Sequence, residues 1–271
     1  MRPTVSDAAR RCTSTGLRIV AHHDRRVVRI AKPSYGALGP QVREMTPTRE
    51  AIQSWGRYDA TGAATVYAAA NPETAFREVL AYLAPSPGLR NTRLSDVFTE
   101  EGSGDHRTLI EAITADWDDL WSIHPKKIVQ GWREARALYR LMLPSSGWFV
   151  DIAHQDSLDA LNHGLARLLH ETGKGRLTLG DLCGEDRRWT VLAARWIYEQ
   201  ILDDGSLAHG LEFSSKHGSN AACWAVWLRR VADGAEPISE PTRVLHETRI
   251  EPPDRNAPME APGGGVSRPA A

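Results

Sequence analysis

The sequence predicts an α+β fold, a compact mixed sheet with packed helices, and three observations carry this prediction. Apolar residues make up 41% and charged residues 25% of the 271 residues, which is ordinary for a globular protein. That length is enough to bury a substantial core. Short β-type runs and helix-type patterns both occur, but they do not alternate regularly as in a doubly wound sheet.

Several short apolar runs have the pattern of strands. They are Arg25–Ala31, Ala64–Ala70, Gly147–Ala153 and, as an edge strand, Thr242–Glu251. The stretch Leu211–Leu228 predicts a strand, a loop and a second apolar strand or helix. Trp132–Leu143 fits a helix and a strand equally well.

Helix signals are clearest after the second of these runs. Asn71 offers an N-cap, Pro72 suits the first helical position, and Glu73 suits the positive end of the helix dipole. The apolar face that follows consists of Ala75, Phe76, Val79, Leu80 and Leu83. Further helices are predicted at Arg107–Trp121, Asp156–Gly173 and Asp186–Leu202.

Composition along the chain predicts three regions. Residues 1–24 are expected to be a loose polar extension, and residues 25–250 to be the folded domain, with a helical insertion at about 86–130. Residues 251–271 are rich in Pro, Gly and Ala and are expected to be disordered.

Charge and composition exclude several function classes. A net charge of −1 gives no basis for a sequence-independent grip on nucleic acid. No apolar run reaches the length of about 18 residues that crosses a bilayer, and the N-terminus lacks the apolar core of a secretory signal. The three cysteines are widely spaced without a CxxC pair, so we expect a cytoplasmic protein without a metal site.

One segment, Gly56–Leu80, concentrates the chemistry that remains. Arg57 precedes a strand, Tyr67 lies within it, and Glu78 lies on the helix that the strand feeds. A strand and the helix that follows it usually pack together, so the three side chains could line one pocket. Taken singly, each has an ordinary interpretation, as a surface ion pair or a half-buried tyrosine.

The order of four segments adds a resemblance to a known family. "VVRIA", "GRYDATGAATVYAAANPETAFREVL", "GRLTLGDL" and "GLEFSSKHGSN" follow one another in the chain. This order resembles the RES domain, the toxin of RES–Xre toxin–antitoxin pairs. The resemblance implies an ADP-ribosyltransferase-like fold and consumption of NAD+ without a metal. It also implies restraint by an Xre-type antitoxin, and a homodimer is possible.

The resemblance also implies the site residues. Its catalytic positions fall on Arg57, Tyr67, Glu78 and Ser215, with Ser214 as the competing serine. Its cofactor-binding positions fall on Arg29, Tyr58 and Asn220. The chain departs from the family pattern at Asp59, where Asn is common, and in the long stretch from Pro85 to Gln130.

The implied reaction is cleavage of the nicotinamide–ribose bond of NAD+, by water or by phosphate. In that reaction Glu78 would stabilise the ribose cation, the arginines would hold the pyrophosphate, Tyr67 would stack on the nicotinamide side, and Ser215 would bind ribose or carboxamide. Two alternatives stay open at this point. One is mono-ADP-ribosylation of a protein at the same site, and the other is a non-catalytic nucleotide- or partner-binding module, which Asp59 favours.

Overall fold

The computed structural model describes residues 8–80, 127–128, 132, 134–217, 221–229, 243–249 and 259–260. Its strands are β1 (Ala9–Arg11), β2 (Arg18–Val20), β3 (Arg26–Ala31), β4 (Thr65–Ala69), β5 (Lys127–Ile128), β6 (Ala137–Met142), β7 (Phe149–Asp151), β8 (Gly210–Ser214), β9 (Ala222–Trp227), β10 (Arg243–Arg249) and β11 (Met259–Glu260). Its α-helices are α1 (Arg49–Gln53), α2 (Pro72–Leu80), α3 (Gln155–Gly164), α4 (Ala166–Glu171), α5 (Leu179–Cys183) and α6 (Arg187–Glu199). A short 3-10 helix spans Pro33–Tyr35.

Nine of these strands form one sheet in the order β1-β2-β7-β8-β9-β4-β3-β6-β10. All neighbours are antiparallel except β7 and β8, which are parallel. The remaining two, β5 and β11, pair with each other. Within the described residues the fold is therefore mixed α and β, as predicted.

The sheet separates two apolar cores. Consecutive residues of a strand point to opposite faces, so Val28 and Val150 join the core under the helices, whereas Val27 and Phe149 join the core on the other face. The helical core includes Leu161 from α3, together with Ala193 and Ile197 of α6. Both faces of the central strands are consequently buried.

The first two strands correct the prediction for the N-terminus. Cys12, Leu17 and Ile19 are fully buried, and Arg10 bonds through both terminal nitrogens to Asp203, at 2.6 Å each. The prediction of a loose extension is wrong for this segment. Three-residue strands interrupted by arginines show too little periodicity to be recognised in the sequence.

Several other predictions can be compared with the described residues. The strands near residues 26–31, 65–69 and 149–151, the two strands within 211–228 and the edge strand β10 are confirmed, and the ambiguous segment is strand β6. The predicted helix Asp156–Gly173 is two helices that meet at Leu165, and His154 rather than Asp156 caps the first of them. The helix at residues 107–121, most of the 86–130 insertion and most of the tail lie outside the described residues.

Candidate functional site

A cavity of about 600 Å³ opens beside α2, β3 and β4, in the size range of small-molecule sites. Six charged side chains line it: Arg29, Arg57, Glu78, Glu185, Arg187 and Lys216. Four of the six are basic, so the charged lining has a surplus of positive charge. Phe213, Val28, Ala69 and the ring of Tyr67 contribute apolar wall.

Helix α2 positions Glu78 at the wall of this cavity. Asn71 Oδ1 accepts hydrogen bonds from the Thr74 backbone N–H at 2.9 Å and the Thr74 hydroxyl at 3.0 Å, which confirms the predicted N-cap. Ala75 and Leu80 are buried and fix the rotation of the helix against β3 and β4. This rotation leaves Glu78 at the boundary of the buried face, with 23% of its side chain exposed.

Two residues from distant segments hold the Glu78 carboxylate. Ser215 Oγ donates a hydrogen bond to Oε1 at 2.6 Å. Arg57 Nη2 lies 3.5 Å from Oε2. The structure therefore brings Arg57 and Glu78 of the segment Gly56–Leu80 into contact with Ser215 from the end of β8.

The end of β8 places the two candidate serines differently. Ser214 is the last residue of the strand and is exposed, whereas Ser215 is 5% exposed. The Ser215 backbone N–H donates to Ala221 O at 3.0 Å, and its Oγ accepts from the His217 backbone N–H at 3.2 Å. These bonds turn the Ser215 side chain toward Glu78.

The hydroxyl of Tyr67 forms its hydrogen bonds with the turn before β4. It donates to Asp59 Oδ1 at 2.8 Å and accepts from the Tyr58 backbone N–H at 2.8 Å. Burial, and then the charge of Asp59, raise the pKa of Tyr67 well above its usual value. Tyr67 thus offers its ring to the cavity, while its hydroxyl holds the turn.

Asp59 is a structural residue of the same turn. Its side chain also accepts from Arg43 Nε at 2.6 Å and from the Gly56 backbone N–H at 2.9 Å. It is 1% exposed and does not line the cavity. Because this carboxylate is paired and lies outside the lining, the departure from the family pattern adds no negative side chain to the cavity wall.

Tyr67→Phe should therefore act mainly on stability. The change leaves Asp59 Oδ1 without one donor and the Tyr58 N–H without its acceptor, and an unsatisfied buried group costs about 1–3 kcal/mol. We expect the free energy of unfolding in urea to fall by about that amount. Tyr35→Phe, at a tyrosine that is 57% exposed, is the control and should change nothing. Equal stability of the two variants would contradict this role for Tyr67.

Arg57 is buried, yet it is incompletely bonded. The residue is 8% exposed, and its guanidinium lies over the rings of Phe213 at 5.1 Å and Tyr58 at 5.5 Å. Its Nη1 is buried without a hydrogen-bond partner among the described residues, and the same holds for Nη1 of Arg29. Buried donors are normally satisfied, and both of these arginines line the cavity.

Of the two predicted cofactor-binding residues that the structure describes, Arg29 lies at the cavity and Tyr58 does not. Burial lowers the pKa of Arg29 to about 10, which leaves the guanidinium charged at neutral pH. Tyr58 is 1% exposed, donates its hydroxyl to Leu182 O at 2.9 Å and does not line the cavity, so the prediction of a direct contact is corrected. Asn220 lies outside the described residues.

Sequence reasoning missed several polar residues of the lining, among them Glu185, Arg187, Lys216 and His217. Helix α5 ends at Gly184 and Asp186 caps α6, so the short link between these helices places Glu185 and Arg187 at the cavity. Burial lowers the pKa of His217 below its usual value. No local pattern marks these residues, because the chain brings them in more than 100 positions after Glu78.

The geometry can be set beside known proteins. The family described as "RES domain" matches residues 26–161 of this chain, which include Arg29, Arg57, Tyr67 and Glu78. The chain belongs to the RES domain family. No curated protein and no solved structure matches it. The family match ends before Ser215, so in this RES domain protein the serine is linked to the site by its hydrogen bond to Glu78.

Among the described residues, no group of three or more His, Cys, Asp or Glu side chains is placed to hold a metal ion. None of the helices in the same part of the chain is both long and apolar enough to cross a bilayer.

Proposed function

We propose that this RES domain protein degrades NAD+ by cleaving its nicotinamide–ribose bond, on a fold of the ADP-ribosyltransferase type. The observation that carries the proposal is the Glu78 carboxylate, fixed by Ser215 and Arg57 at the wall of a cavity with surplus positive charge. NAD+ needs both features, because its diphosphate is anionic while positive charge develops on its ribose during cleavage.

The carboxylate supplies the electrostatic part of the reaction. The bond from ribose C1″ to nicotinamide nitrogen breaks with its electron pair going to nitrogen, so the pyridinium leaves as neutral nicotinamide. The ribose becomes oxocarbenium-like, as in other glycosyl cleavages. Glu78 stabilises that charge and accepts a hydrogen bond from a ribose hydroxyl. A water or phosphate oxygen then bonds to C1″, and water loses a proton to solvent.

The remaining residues bind and orient the substrate. Arg57 and Arg29 both line the cavity, and a guanidinium can bond phosphate oxygens in a bidentate way. Ser215 keeps the Glu78 carboxylate in one orientation through its 2.6 Å hydrogen bond. The ring of Tyr67 and the apolar wall can receive the nicotinamide side of the molecule.

Incubating the purified chain with NAD+, with and without phosphate, tests the proposal. Mass analysis should find free nicotinamide, with ADP-ribose if water attacks and ADP-ribose 1″-phosphate if phosphate attacks. Free nicotinamide with a protein heavier by one ADP-ribose would instead assign mono-ADP-ribosylation. If NAD+ stays intact although the protein is folded, the enzymatic function is contradicted and the non-catalytic binding module is the interpretation that remains.

We further propose that this protein is a toxin and that a separate Xre-type antitoxin restrains it. Such restraint is needed because unrestrained NAD+ cleavage drains a cofactor that every cell needs. Expressed alone in a bacterium, the chain is expected to arrest growth while the cellular NAD+ pool falls, and Glu78→Gln is expected to do neither. Normal growth and an unchanged NAD+ pool, with soluble folded protein present, would remove the toxin assignment.

A further inference from the structure

The basic surplus of the cavity is partly masked by a carboxylate of the chain itself. Glu185 pairs through Oε1 with Lys216 Nζ and through Oε2 with Arg187 Nη2, the latter at 3.2 Å. All three residues line the cavity. Glu185 therefore connects the α5–α6 link with the residue that follows Ser215 after β8. Its partners, Lys216 and Arg187, are the basic groups that a bound anion would use.

The two cations differ from Glu185 in how they are held. Arg187 donates to the backbone oxygens of Trp55 at 3.2 Å and Gly184 at 3.3 Å, so its guanidinium stays in place without the carboxylate. Only 19% of the Arg187 side chain and 26% of the Lys216 side chain are exposed, against 73% for Glu185. Glu185 is thus the exposed member of this group of three side chains, and Arg187 and Lys216 are the less exposed ones.

The neighbouring charges indicate that this part of the cavity favours an anion. Burial lowers the pKa values of both Lys216 and Arg187, and the next contribution in each case is the positive charge of Arg57. Arg57 lines the same cavity, where it pairs with Glu78. The single Glu185 carboxylate divides its two oxygens between Lys216 and Arg187, whereas a diphosphate carries several acceptor oxygens.

We propose that Arg187 and Lys216 form a diphosphate-binding site, and that the Glu185 carboxylate occupies this site until the ligand displaces it. Exposed ion pairs of this kind are weak, so a more highly charged ligand can replace Glu185. Glu185 acts as an internal competitor: it weakens the binding of any phosphate-bearing ligand and disfavours ligands without one. The identity of the ligand as a nucleotide rests on the proposed function, but the anion site does not.

Calorimetric titration of the full chain with inorganic pyrophosphate tests this inference without any turnover. Glu185→Gln keeps the shape and removes the competing charge, and we expect it to bind pyrophosphate about fivefold more tightly. Lys216→Gln is expected to bind it about tenfold more weakly, because a charge-assisted hydrogen bond is lost. Matched controls are Glu171→Gln and Lys32→Gln, at exposed residues outside the cavity, and both should match the parent.

A double variant distinguishes occupation of the site from a general effect of charge. If Glu185 competes by binding Lys216, the gain from Glu185→Gln should fall below about twofold once Lys216 is glutamine. Repeating the titrations with ADP in place of pyrophosphate shows whether the site takes the diphosphate of a nucleotide or a free diphosphate anion. An equal response assigns the site to a nucleotide, and a response to pyrophosphate alone assigns it to a free anion.

Two results would overturn the inference. One is pyrophosphate affinity that neither single variant changes, and the other is a parent chain that binds neither pyrophosphate nor ADP. Neither result depends on NAD+ cleavage, which is measured separately on the parent and on Glu78→Gln. Failure of the anion site and failure of the proposed function are therefore distinguishable.

Discussion

Glu78→Gln is expected to fold like the parent and to release nicotinamide from NAD+ roughly 10²–10³-fold more slowly, the usual effect of one well-placed electrostatic group. Glutamine has the same shape and can still accept the hydrogen bond from Ser215 Oγ, so the site stays assembled. What disappears is the negative charge that faces the ribose cation. The rate constant for nicotinamide release, measured at saturating NAD+, checks this prediction.

The same helix provides the control for this substitution. Glu73 also lies on α2, but 70% of its side chain is exposed and it pairs with Arg77 at 2.6 Å. Glu73→Gln should leave the rate unchanged. A Glu78→Gln rate within a few-fold of the parent, with normal thermal unfolding, would make Glu78 an ordinary boundary carboxylate and would remove the site assignment.

Arg57→Lys is expected to raise KM for NAD+ by about 10- to 100-fold while kcat changes only a few-fold, since a hydrogen bond to a charged group is worth about 1.5–3 kcal/mol. Lysine keeps the positive charge but lacks the planar fork that serves two acceptors at once. In the structure, Nη2 faces Glu78 at 3.5 Å while Nη1 has no partner among the described residues. One ammonium group cannot take both positions.

Steady-state kinetics separate the two parameters for Arg57→Lys. Arg167→Lys is the control, because 93% of the Arg167 side chain is exposed on α4, outside the cavity. Loss of kcat with an unchanged KM would show that Arg57 acts on the chemical step alone and would contradict its role in holding the diphosphate.

The part of the site that the sequence predicted follows from short-range rules. Asn71 and Pro72 fixed where α2 begins, and the spacing of Ala75 and Leu80 fixed which face is buried. Those two facts place Glu78 at a boundary position next to the strand that carries Tyr67. The position of Arg57 near these two residues could be predicted because only a short turn separates it from β4. Each of these steps spans only a few residues.

The rest of the site depends on long-range packing. The choice of Ser215 over Ser214 depends on where β8 ends against β9, which a strand pattern cannot place to one residue. The role of the Tyr67 hydroxyl depends on Asp59, which the sequence presented as an unexplained departure. Glu185 and Lys216 meet across 31 positions, and nothing in their immediate surroundings indicates that they do.

The N-terminal strands β1 and β2 also could not be predicted from local sequence patterns. Residues Ala9–Arg11 and Arg18–Val20 alternate too briefly to be recognised, and they become strands because β7 offers an edge to which β2 pairs. The bonds between Arg10 and Asp203 then fasten the strand to a turn that lies 193 positions away. Tertiary partners of this kind override a weak local pattern.

The crystal structure of Glu78→Gln with NAD+ bound is the most direct test of the central claim, because the variant is expected to bind the substrate and cleave it slowly. The account predicts intact NAD+ in the cavity, with a hydroxyl of the nicotinamide ribose about 2.6–3.2 Å from the side chain of residue 78. It also predicts that the diphosphate lies against Arg57. NAD+ bound elsewhere, or bound in the cavity with its nicotinamide ribose away from residue 78, would contradict the account.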